Sequence, residues 1–271
     1  MLQQTISILG CGWLGLPLAE KFLQLGFHVK GSTTSQTRLQ ILAEKGVTPF
    51  LIDCLPNKLE GDIASFLNSK FLFLNIPFRR DLTDPFDYFE MVKQIVFAVE
   101  SSSVEFLVFA SSTSVYPEDL QIANENDRST INEPRSQVLI DCEDLLLRNK
   151  KFRTTVIRFA GLFGGTRQFK TVVSEGHKYR SPETRLNLIY LDDCVEIVSQ
   201  IFCKGIQGEI FNACCNEHPT RREFYEYLAK KNGFPIPQFD QGLMSKYKIV
   251  SNEKIKKALN FDFQYSSPLH F

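Results

Sequence analysis

Two patterns of hydrophobic and polar positions alternate along the first 160 residues. Short apolar runs, typical of buried strands, lie at residues 5–9, 28–32, 48–53, 70–75, 106–111 and 154–159. Apolar residues with helical spacing lie between them, at residues 14–25, 37–45, 84–101 and 136–149. Parallel strands require a crossover connection, which a helix usually supplies. The order therefore predicts an α/β fold with a doubly wound parallel sheet.

The pattern loosens after residue 159, and a helix within residues 55–68 is only weakly indicated. The elements predicted in the later part are a helix at 192–203, a strand at 209–214 and a helix at 220–232. We expect a first domain at residues 1–160 and a small mixed α/β substrate lobe at 161–271. Residues 186–214 are expected to return to the sheet of the first domain.

The composition narrows the class of protein. With 271 residues, of which 43% are hydrophobic and 23% charged, the chain can bury the core of one large domain or of a domain with a smaller lobe. Lys and Arg total 31, as do Asp and Glu, so no net charge attracts nucleic acid or an anionic membrane surface. No apolar run approaches the roughly 20 residues of a membrane span. We expect a small-molecule partner, and neither nucleic acid nor membrane.

Cysteines and histidines show no pattern of ligands or disulfides. The seven cysteines are odd in number, contain no C-x-x-C pair and mostly have apolar neighbours. This favours reduced core thiols in a cytoplasmic protein over a disulfide framework or a zinc site. The four histidines are scattered without ligand spacing, so no metal site is predicted.

Three glycines with the spacing G-x-G-x-x-G follow the first predicted strand directly and open the first predicted helix. In a dinucleotide-binding Rossmann fold, Gly10 would make the sharp turn, Gly12 would admit a pyrophosphate, and Gly15 would let the helix pack closely on the strand. The phosphates would rest on the helix N-terminus. The residues predicted to approach them are Gly10, Gly12, Trp13, Leu14 and Gly15. The alternative is a turn that needs glycine for conformational reasons alone.

The first helix is predicted to bury one apolar face. That face consists of Leu14, Leu18, Phe22 and Leu25. Gly26 is expected to end the helix. Pro17 fits only if the helix begins at about residues 12–14, because its missing N–H then falls at or just past the first turn.

The end of the second strand indicates which dinucleotide binds. An NAD site would offer Asp or Glu there to bind the ribose 2′-hydroxyl, and residues 30–38, KGSTTSQTR, contain neither. The segment instead carries hydroxyls and a cation that suit a 2′-phosphate, namely Ser32, Thr33, Thr34, Ser35 and Arg38. NADP is therefore favoured, and NAD stays open. The alternative is a Ser/Thr N-cap followed by a solvated arginine.

Two more strand ends are expected at the cofactor. Asp53 ends the predicted third strand and would face the adenine, unless it is only a turn residue. Residues 75–78, NIPF, end the fourth strand at the carboxyl edge, where such sheets bind ligands. We include Asn75, Ile76 and Pro77 in the predicted cofactor site, and Pro77 would rigidify the loop.

Several motifs along the chain occur in an order that points to a known family. They are FASSTSVYP (109–117), VIRFAGLFG (156–164), LNLIYLDDCVEIV (186–198) and GEIFNACCNEHPTRREFYEYLAK (208–230). Together with the N-terminal glycine motif, they resemble the extended short-chain dehydrogenase/reductase family, which includes nucleotide-sugar epimerases and dehydratases. The resemblance covers nearly the whole chain, and it departs at Tyr190, where His is usual.

The resemblance implies roles at the end of the fifth strand. Ser112 occupies the position of the Ser or Thr that orients the reacting oxygen, with Thr113 beside it, and Ser111 would line the cofactor. Tyr116 is the nearest phenol that could act as a replacement acid. Its usual role in the family pattern is structural or on the substrate side.

The family's proton relay is missing from its expected helix. In that family a Tyr exchanges the proton, and a Lys four residues later lowers the Tyr pKa and holds the nicotinamide ribose. Here Arg135 aligns with the Tyr and Leu139 with the Lys, and residues 117–149 contain no Tyr or Lys. Arg135 could bind an anionic substrate group or be a solvated charge. A Y-x-x-x-K match at Tyr227 and Lys231 lies far downstream and is not expected to be catalytic.

Two functions of different classes remain. The first is an NADP-dependent oxidoreductase or epimerase/dehydratase-like enzyme that acts on a small polar substrate resembling a sugar nucleotide. The second is a catalytically inactive NAD(P)-binding regulatory or sensor protein. The completeness of the predicted substrate lobe favours the enzyme, whereas the missing relay favours the sensor.

Overall fold

The computed structural model describes residues 4–78, 84–119, 121–127, 133–167, 178–240 and 246–271. The chain divides into two compact units. The first unit consists of Met1–Val115, Ile131–Arg158 and Val195–Ile210. The second unit consists of Tyr116–Thr130, Phe159–Cys194 and Phe211–Phe271.

Strands and helices alternate through the first half of the chain. The strands are β1 (Thr5–Leu9), β2 (His28–Thr33), β3 (Thr48–Leu51), β4 (Asp53–Leu55), β5 (Lys58–Glu60), β6 (Phe71–Leu74), β7 (Phe106–Ser112), β8 (Arg153–Phe159), β9 (Gly161–Phe163), β10 (Lys178–Tyr179), β11 (Leu188–Tyr190), β12 (Ile210–Ala213) and β13 (Gln238–Phe239). The helices are α1 (Gly15–Gln24), α2 (Gln36–Glu44), α3 (Ile63–Leu67), α4 (Phe86–Glu100), α5 (Pro134–Leu147), α6 (Leu191–Lys204), α7 (Arg221–Asn232) and α8 (Glu253–Leu259), with a 3₁₀ turn at Thr113–Val115.

Seven strands form the main sheet, in the spatial order β12-β8-β7-β6-β1-β2-β3. β1 pairs in parallel with β2 on one side and with β6 on the other. The chain therefore winds outward in both directions from β1, and the strand order reverses between β1 and β6. This is the doubly wound α/β fold that the sequence predicts, and its switch point is where such sheets bind ligands.

Helices cover the sheet through apolar side chains. Phe22 of α1 packs edge-on against Phe202 of α6, with ring centroids 5.7 Å apart. Phe71 of β6 and Phe106 of β7 also contact Phe202, at 5.8 and 5.1 Å. Each of these four rings is buried, at 8% exposure or less. Aromatic side chains of this size dominate core energetics, so this cluster fixes α1 and α6 on the strands.

Two local predictions need correction, and a third is confirmed. The third strand ends at Leu51 and not at Asp53, because Asp53–Leu55 turns back in an antiparallel hairpin with Lys58–Glu60. The helix weakly indicated within residues 55–68 is confirmed as the short α3. Leu25 is not part of the buried face of α1 and is 46% exposed, because the helix already ends at Gln24.

The second unit has its own core. Phe163, Leu188, Cys215, Phe224 and Leu228 form a buried cluster. β9 pairs in parallel with β11, and β10 with β13. A capping box starts α7: Thr220 accepts from the backbone of Glu223, and Glu223 accepts from the backbone of Thr220. The helix predicted at 220–232 is α7, whereas β9, β10, β11, β13 and α8 are too short to show a clear periodicity in the sequence.

Three findings concern disulfides, membrane spans and metal sites. Six of the seven cysteines are buried, Cys203 is exposed, and all seven are free thiols. In the described parts of the chain, no helix combines the length and the apolar character needed to cross a membrane. The same residues contain no group of three or more His, Cys, Asp or Glu side chains that could hold a metal ion.

Candidate cofactor site at the carboxyl edge of the sheet

The turn from β1 into α1 needs glycine at two of its three glycine positions. Gly10 has φ +99°, and a Cβ added to it would lie 2.3 Å from the carbonyl oxygen of Asn75. A Cβ on Gly15 would lie 2.4 Å from the carbonyl oxygen of Gly10. A Cβ on Gly12 would meet nothing within 4 Å. The fold therefore requires Gly10 and Gly15 but gives no packing reason for Gly12.

Hydrogen bonds from two neighbouring strands hold this turn. The amide of Gly10 donates to Ser32 Oγ at 2.8 Å, and the amide of Cys11 donates to the Ser32 carbonyl oxygen at 2.8 Å. On the other side, Asn75 Nδ2 donates to the Gly10 carbonyl oxygen at 3.0 Å. The ends of β2, β1 and β6 are thus joined at the switch point. The Ser32 hydroxyl, expected to face the cofactor, instead caps the turn inside the protein.

The N-terminal end of α1 has no acidic side chain in its first turn. The helix begins at Gly15, and the preceding Leu14 makes no side-chain cap. Pro17 is the third helical residue, so its missing N–H belongs to the first turn, where backbone amides lack intrahelical partners. The positive end of the helix dipole is therefore not offset by a carboxylate, as an anion site requires.

The hydroxyl-rich rim after β2 lies next to the glycine turn. Arg38 Nη2 donates to the Cys11 carbonyl oxygen at 3.4 Å, which places its guanidinium beside the turn. Ser35 is the N-cap residue of α2 but makes no side-chain cap, and its hydroxyl pairs with Thr37 Oγ1 at 2.9 Å. The Thr33 hydroxyl accepts from the Ser35 amide at 3.2 Å, and Thr34 is exposed. Of the side chains at residues 33–38, Arg38 is thus the one with a described contact to the turn.

Cys11 lies inside the glycine motif but is not a nucleophile. Its side chain is 1% exposed. Burial raises the pKa of the Cys11 thiol to about 12, and the nearby Arg38 offsets this only in part. A thiol of that pKa is protonated at neutral pH and unreactive.

The other predicted cofactor residues differ in their surroundings. Asn75 holds the glycine turn as described above. Ile76 is half-buried, and its carbonyl oxygen accepts from the Tyr88 hydroxyl at 3.1 Å. Pro77 is exposed. Asp53 is exposed and pairs with Glu60 in the β4–β5 hairpin.

The carboxyl end of β7 is fixed by a buried ion pair. Ser111 Oγ donates to Glu143 Oε1 at 2.6 Å, and Arg158 Nη2 donates to Glu143 Oε2 at 2.6 Å. Glu143 and Arg158 are 1% and 3% exposed. The neighbouring Ser112 is only partly buried, and its hydroxyl accepts from the Ser114 amide at 3.1 Å. Ser112 is thus held in place while staying accessible.

Thr113 lies in the 3₁₀ turn that follows β7 and is buried, with 6% of its surface exposed. The start of α5 is tied to this turn, because Ser136 Oγ donates to the Ser114 carbonyl oxygen at 2.7 Å. Arg135 therefore lies next to the end of β7. Leu139, one turn further along α5, is 4% exposed and supplies no polar group.

The two tyrosines considered as proton donors, Tyr116 and Tyr227, both lie in the second unit. Tyr116, in the second unit, is 2% exposed, and its hydroxyl donates to Asn212 Oδ1 at 2.8 Å. This contact favours a structural role. In the downstream match, Lys231 Nζ lies 5.7 Å from the Tyr227 ring centroid and 3.8 Å from that of Phe271. That pair takes part in an aromatic cluster.

Three contacts at the site could not be predicted from the sequence. They are the Glu143–Arg158 ion pair, the hydrogen bond from Asn75 to Gly10, and the contact of Arg135 with Phe78 described below. The motif VIRFAGLFG does contain Arg158, and Glu143 lies four residues after Leu139. An arginine and a glutamate in consecutive buried elements are the one signal that could have indicated the pair.

The chain is similar in fold to several solved structures. The fold is that of the NAD-dependent epimerases and of the short-chain dehydrogenase/reductase superfamily. A UDP-glucuronic acid 4-epimerase from Bacillus cereus, solved with NAD, is 16% identical, with a TM-score of 0.79 over 98% of this chain and 96% of that one. A conserved protein of unknown function from Silicibacter pomeroyi is 19% identical, with a TM-score of 0.79 over the same shares, 98% and 96%. At these identities the likeness concerns the fold.

Among curated proteins, the chain is similar to Protein YeeZ of Escherichia coli strain K12. The two are 29% identical over 269 residues, which cover 98% of each chain. No family model matches the chain. The resemblance drawn from the motif order is therefore confirmed at the level of the fold.

The two constraints on Gly10 predict a large loss of stability in Gly10→Ala. An alanine at this position would have to adopt a positive φ, and its Cβ would displace the Asn75 carbonyl oxygen. We therefore expect the free energy of unfolding to fall by about 3 kcal/mol or more. The matched control is Gly26→Ala, where φ is +85° but no atom lies within 4 Å. In Gly26→Ala the free energy of unfolding should fall only by the cost of the left-handed backbone conformation, about 1–2 kcal/mol. Urea unfolding measures both, and equal losses would contradict the role assigned to the Asn75 contact.

Proposed function

We propose that this chain binds a nicotinamide dinucleotide at the β1–α1 turn. The observation that carries the proposal is the contrast among the three glycines: Gly10 and Gly15 are required by backbone contacts, whereas Gly12 faces open space. A glycine with no internal neighbour, next to a helix N-terminus at the switch point, is explained by close approach of a pyrophosphate. The dinucleotide of the Bacillus cereus relative supports the same choice of ligand.

The residues of the turn fit such a ligand. The amides of residues 12 to 15 lie in the turn that leads into α1, and the first turn of α1 carries no carboxylate that would repel a diphosphate. Gly10, Gly12, Trp13, Leu14 and Gly15 would hold the phosphates. Asn75, Ile76, Pro77 and Ser111 would border the nicotinamide half, and Asp53 the adenine.

We propose NADP as the preferred cofactor, with NAD as the weaker ligand. Support comes from Arg38, whose guanidinium reaches the Cys11 carbonyl beside the turn. Thr33, Thr34 and Ser35 add hydroxyls, and β2 ends without the carboxylate that an NAD site uses. A guanidinium and hydroxyls suit a 2′-phosphate.

For the reaction, we propose an oxidoreductase or epimerase/dehydratase-like enzyme acting on a small polar substrate that resembles a sugar nucleotide. The nicotinamide ring, when bound, supplies hydride transfer. The chain's own part is to orient the reacting oxygen through Ser112, whose partly exposed hydroxyl is positioned by the Ser114 amide. The named substrate of the Bacillus cereus relative supports the substrate class.

A second candidate is a sensor that binds the cofactor without turnover. Arg135 and Leu139 stand at the two relay positions, and a guanidinium stays charged at all working pH values, so it cannot exchange a proton. The Tyr116 hydroxyl is already bonded to Asn212. Hydride transfer to or from a sugar nucleotide that is lost in Ser112→Ala would support the enzyme, and cofactor binding without transfer would support the sensor.

Gly12→Ala tests the proposed ligand. The new methyl group enters space that no protein atom occupies, so we expect the free energy of unfolding to change by less than about 1 kcal/mol. The same methyl group would block the pyrophosphate and raise the Kd for NADPH about tenfold, or about 1.4 kcal/mol. Calorimetric titration and urea unfolding measure the two effects. Gly26→Ala, beyond the other end of α1, is the control and should keep its affinity; unchanged affinity in Gly12→Ala would count against the site.

Arg38→Ala tests the choice of dinucleotide. A hydrogen bond to a charged group contributes about 1.5–3 kcal/mol, so the Kd for NADPH should rise about 10- to 100-fold. The Kd for NADH should rise less than about threefold, because NADH has no 2′-phosphate. Lys45→Ala, which removes an exposed cation at the other end of α2, should alter neither value. Equal losses for both cofactors would remove the NADP assignment.

A further inference from the structure

Arg135 makes two contacts with one residue of the loop that follows β6. Its guanidinium carbon lies 4.1 Å from the centroid of the Phe78 ring, and its Nη2 donates to the Phe78 carbonyl oxygen at 3.2 Å. A planar guanidinium can stack on an aromatic ring and donate in its own plane at the same time. Arg135 therefore grips both the side chain and the main chain of Phe78.

Phe78 has a second stacking partner. The Tyr88 ring lies parallel to it, with ring centroids 4.4 Å apart and an interplanar angle of 9°. Tyr88 is 1% exposed, and its hydroxyl donates to the Ile76 carbonyl oxygen. The rigid helix α4 thus holds the same loop through a buried side chain.

The loop at residues 75–78 is therefore held by contacts at three of its four residues. Asn75 is bonded to Leu9 and Gly10, with its amide donating to the Leu9 carbonyl oxygen at 2.9 Å. Ile76 is held by Tyr88, and Phe78 by Arg135. The tie at Phe78 links the loop to the start of α5, which Ser136 in turn joins to the end of β7.

We infer that Arg135 is a positioning residue, which clamps loop 75–78 and so sets the rim of the dinucleotide crevice. The position that the family resemblance assigns to a proton donor is used here for a mechanical link between α5 and the loop. The effect on ligand affinity rests on the proposed function, whereas the link itself does not.

The test compares Arg135→Ala and Arg135→Lys with the unaltered full-length protein. Two quantities are measured: the Kd for NADPH and, without ligand, the hydrogen-exchange rates of backbone amides in residues 71–78. We expect Arg135→Ala to raise both at least tenfold. Arg135→Lys keeps the positive charge but loses the planar guanidinium that stacks on Phe78, so we expect the Kd and the exchange rates to rise at least threefold. Arg148→Ala, at the far end of α5, removes an exposed arginine paired with Asp144 and should leave both within twofold.

Three results would overturn the inference. Wild-type exchange and affinity in Arg135→Lys would show that charge alone matters. Unchanged exchange with weakened NADPH binding in Arg135→Ala would show that the guanidinium contacts the ligand directly. Equal changes in Arg135→Ala and Arg148→Ala would show a general loss of helix stability. If the unaltered protein binds neither NADPH nor NADH, the proposed function fails, and the exchange rates still decide whether the clamp exists.

Discussion

One close backbone approach governs the candidate site: the Asn75 carbonyl oxygen lies where a side chain at residue 10 would begin. β1 can pass into α1 at this point only because Gly10 has no Cβ and adopts a positive φ. The Gly10 amide donates to the Ser32 hydroxyl, and the side-chain amide of Asn75 donates to the Gly10 carbonyl oxygen. Because β2 and β6 flank β1 at the reversal of strand order, this turn lies where a doubly wound sheet offers a crevice.

A second constraint holds the neighbouring strand end. Glu143 and Arg158 form an ion pair with less than 5% exposure, and Ser111 donates to the same carboxylate. Burying two charges costs several kcal/mol per ion, so such a pair is weak evidence for added stability. Its consequence here is geometric, since it fastens β7, β8 and α5 together one residue before Ser112.

The departure from the family resemblance lies on one face of α5. Arg135, Leu139 and Glu143 follow one another at intervals of four residues and so share a helix face. Glu143 joins the ion pair, Leu139 packs in the core, and Arg135 contacts Phe78. At the two positions that the family resemblance aligns with the relay, the chain carries a guanidinium that contacts Phe78 and a buried leucine.

Most of the main sheet and its helices could be predicted from the sequence, because apolar runs and helical periodicity are local signals. The β4–β5 hairpin could not, since the continuous apolar run from Thr48 hides the point where pairing changes from β2 to the hairpin. Contacts between distant residues were also missed. Asn75 and Gly10 are 65 residues apart, and no local pattern states that an amide will reach a particular carbonyl. The glycine spacing was informative because backbone contacts restrict two of its positions, Gly10 and Gly15, to one residue type.

The central proposal is that the backbone amides of residues 12 to 15, at the start of α1, bind a dinucleotide. Calorimetric titration of the unaltered protein with NADPH and with NADH tests it most directly. The account predicts saturable binding at one site per chain, with the lower Kd for NADPH. No saturable binding of either cofactor at millimolar concentration would contradict it.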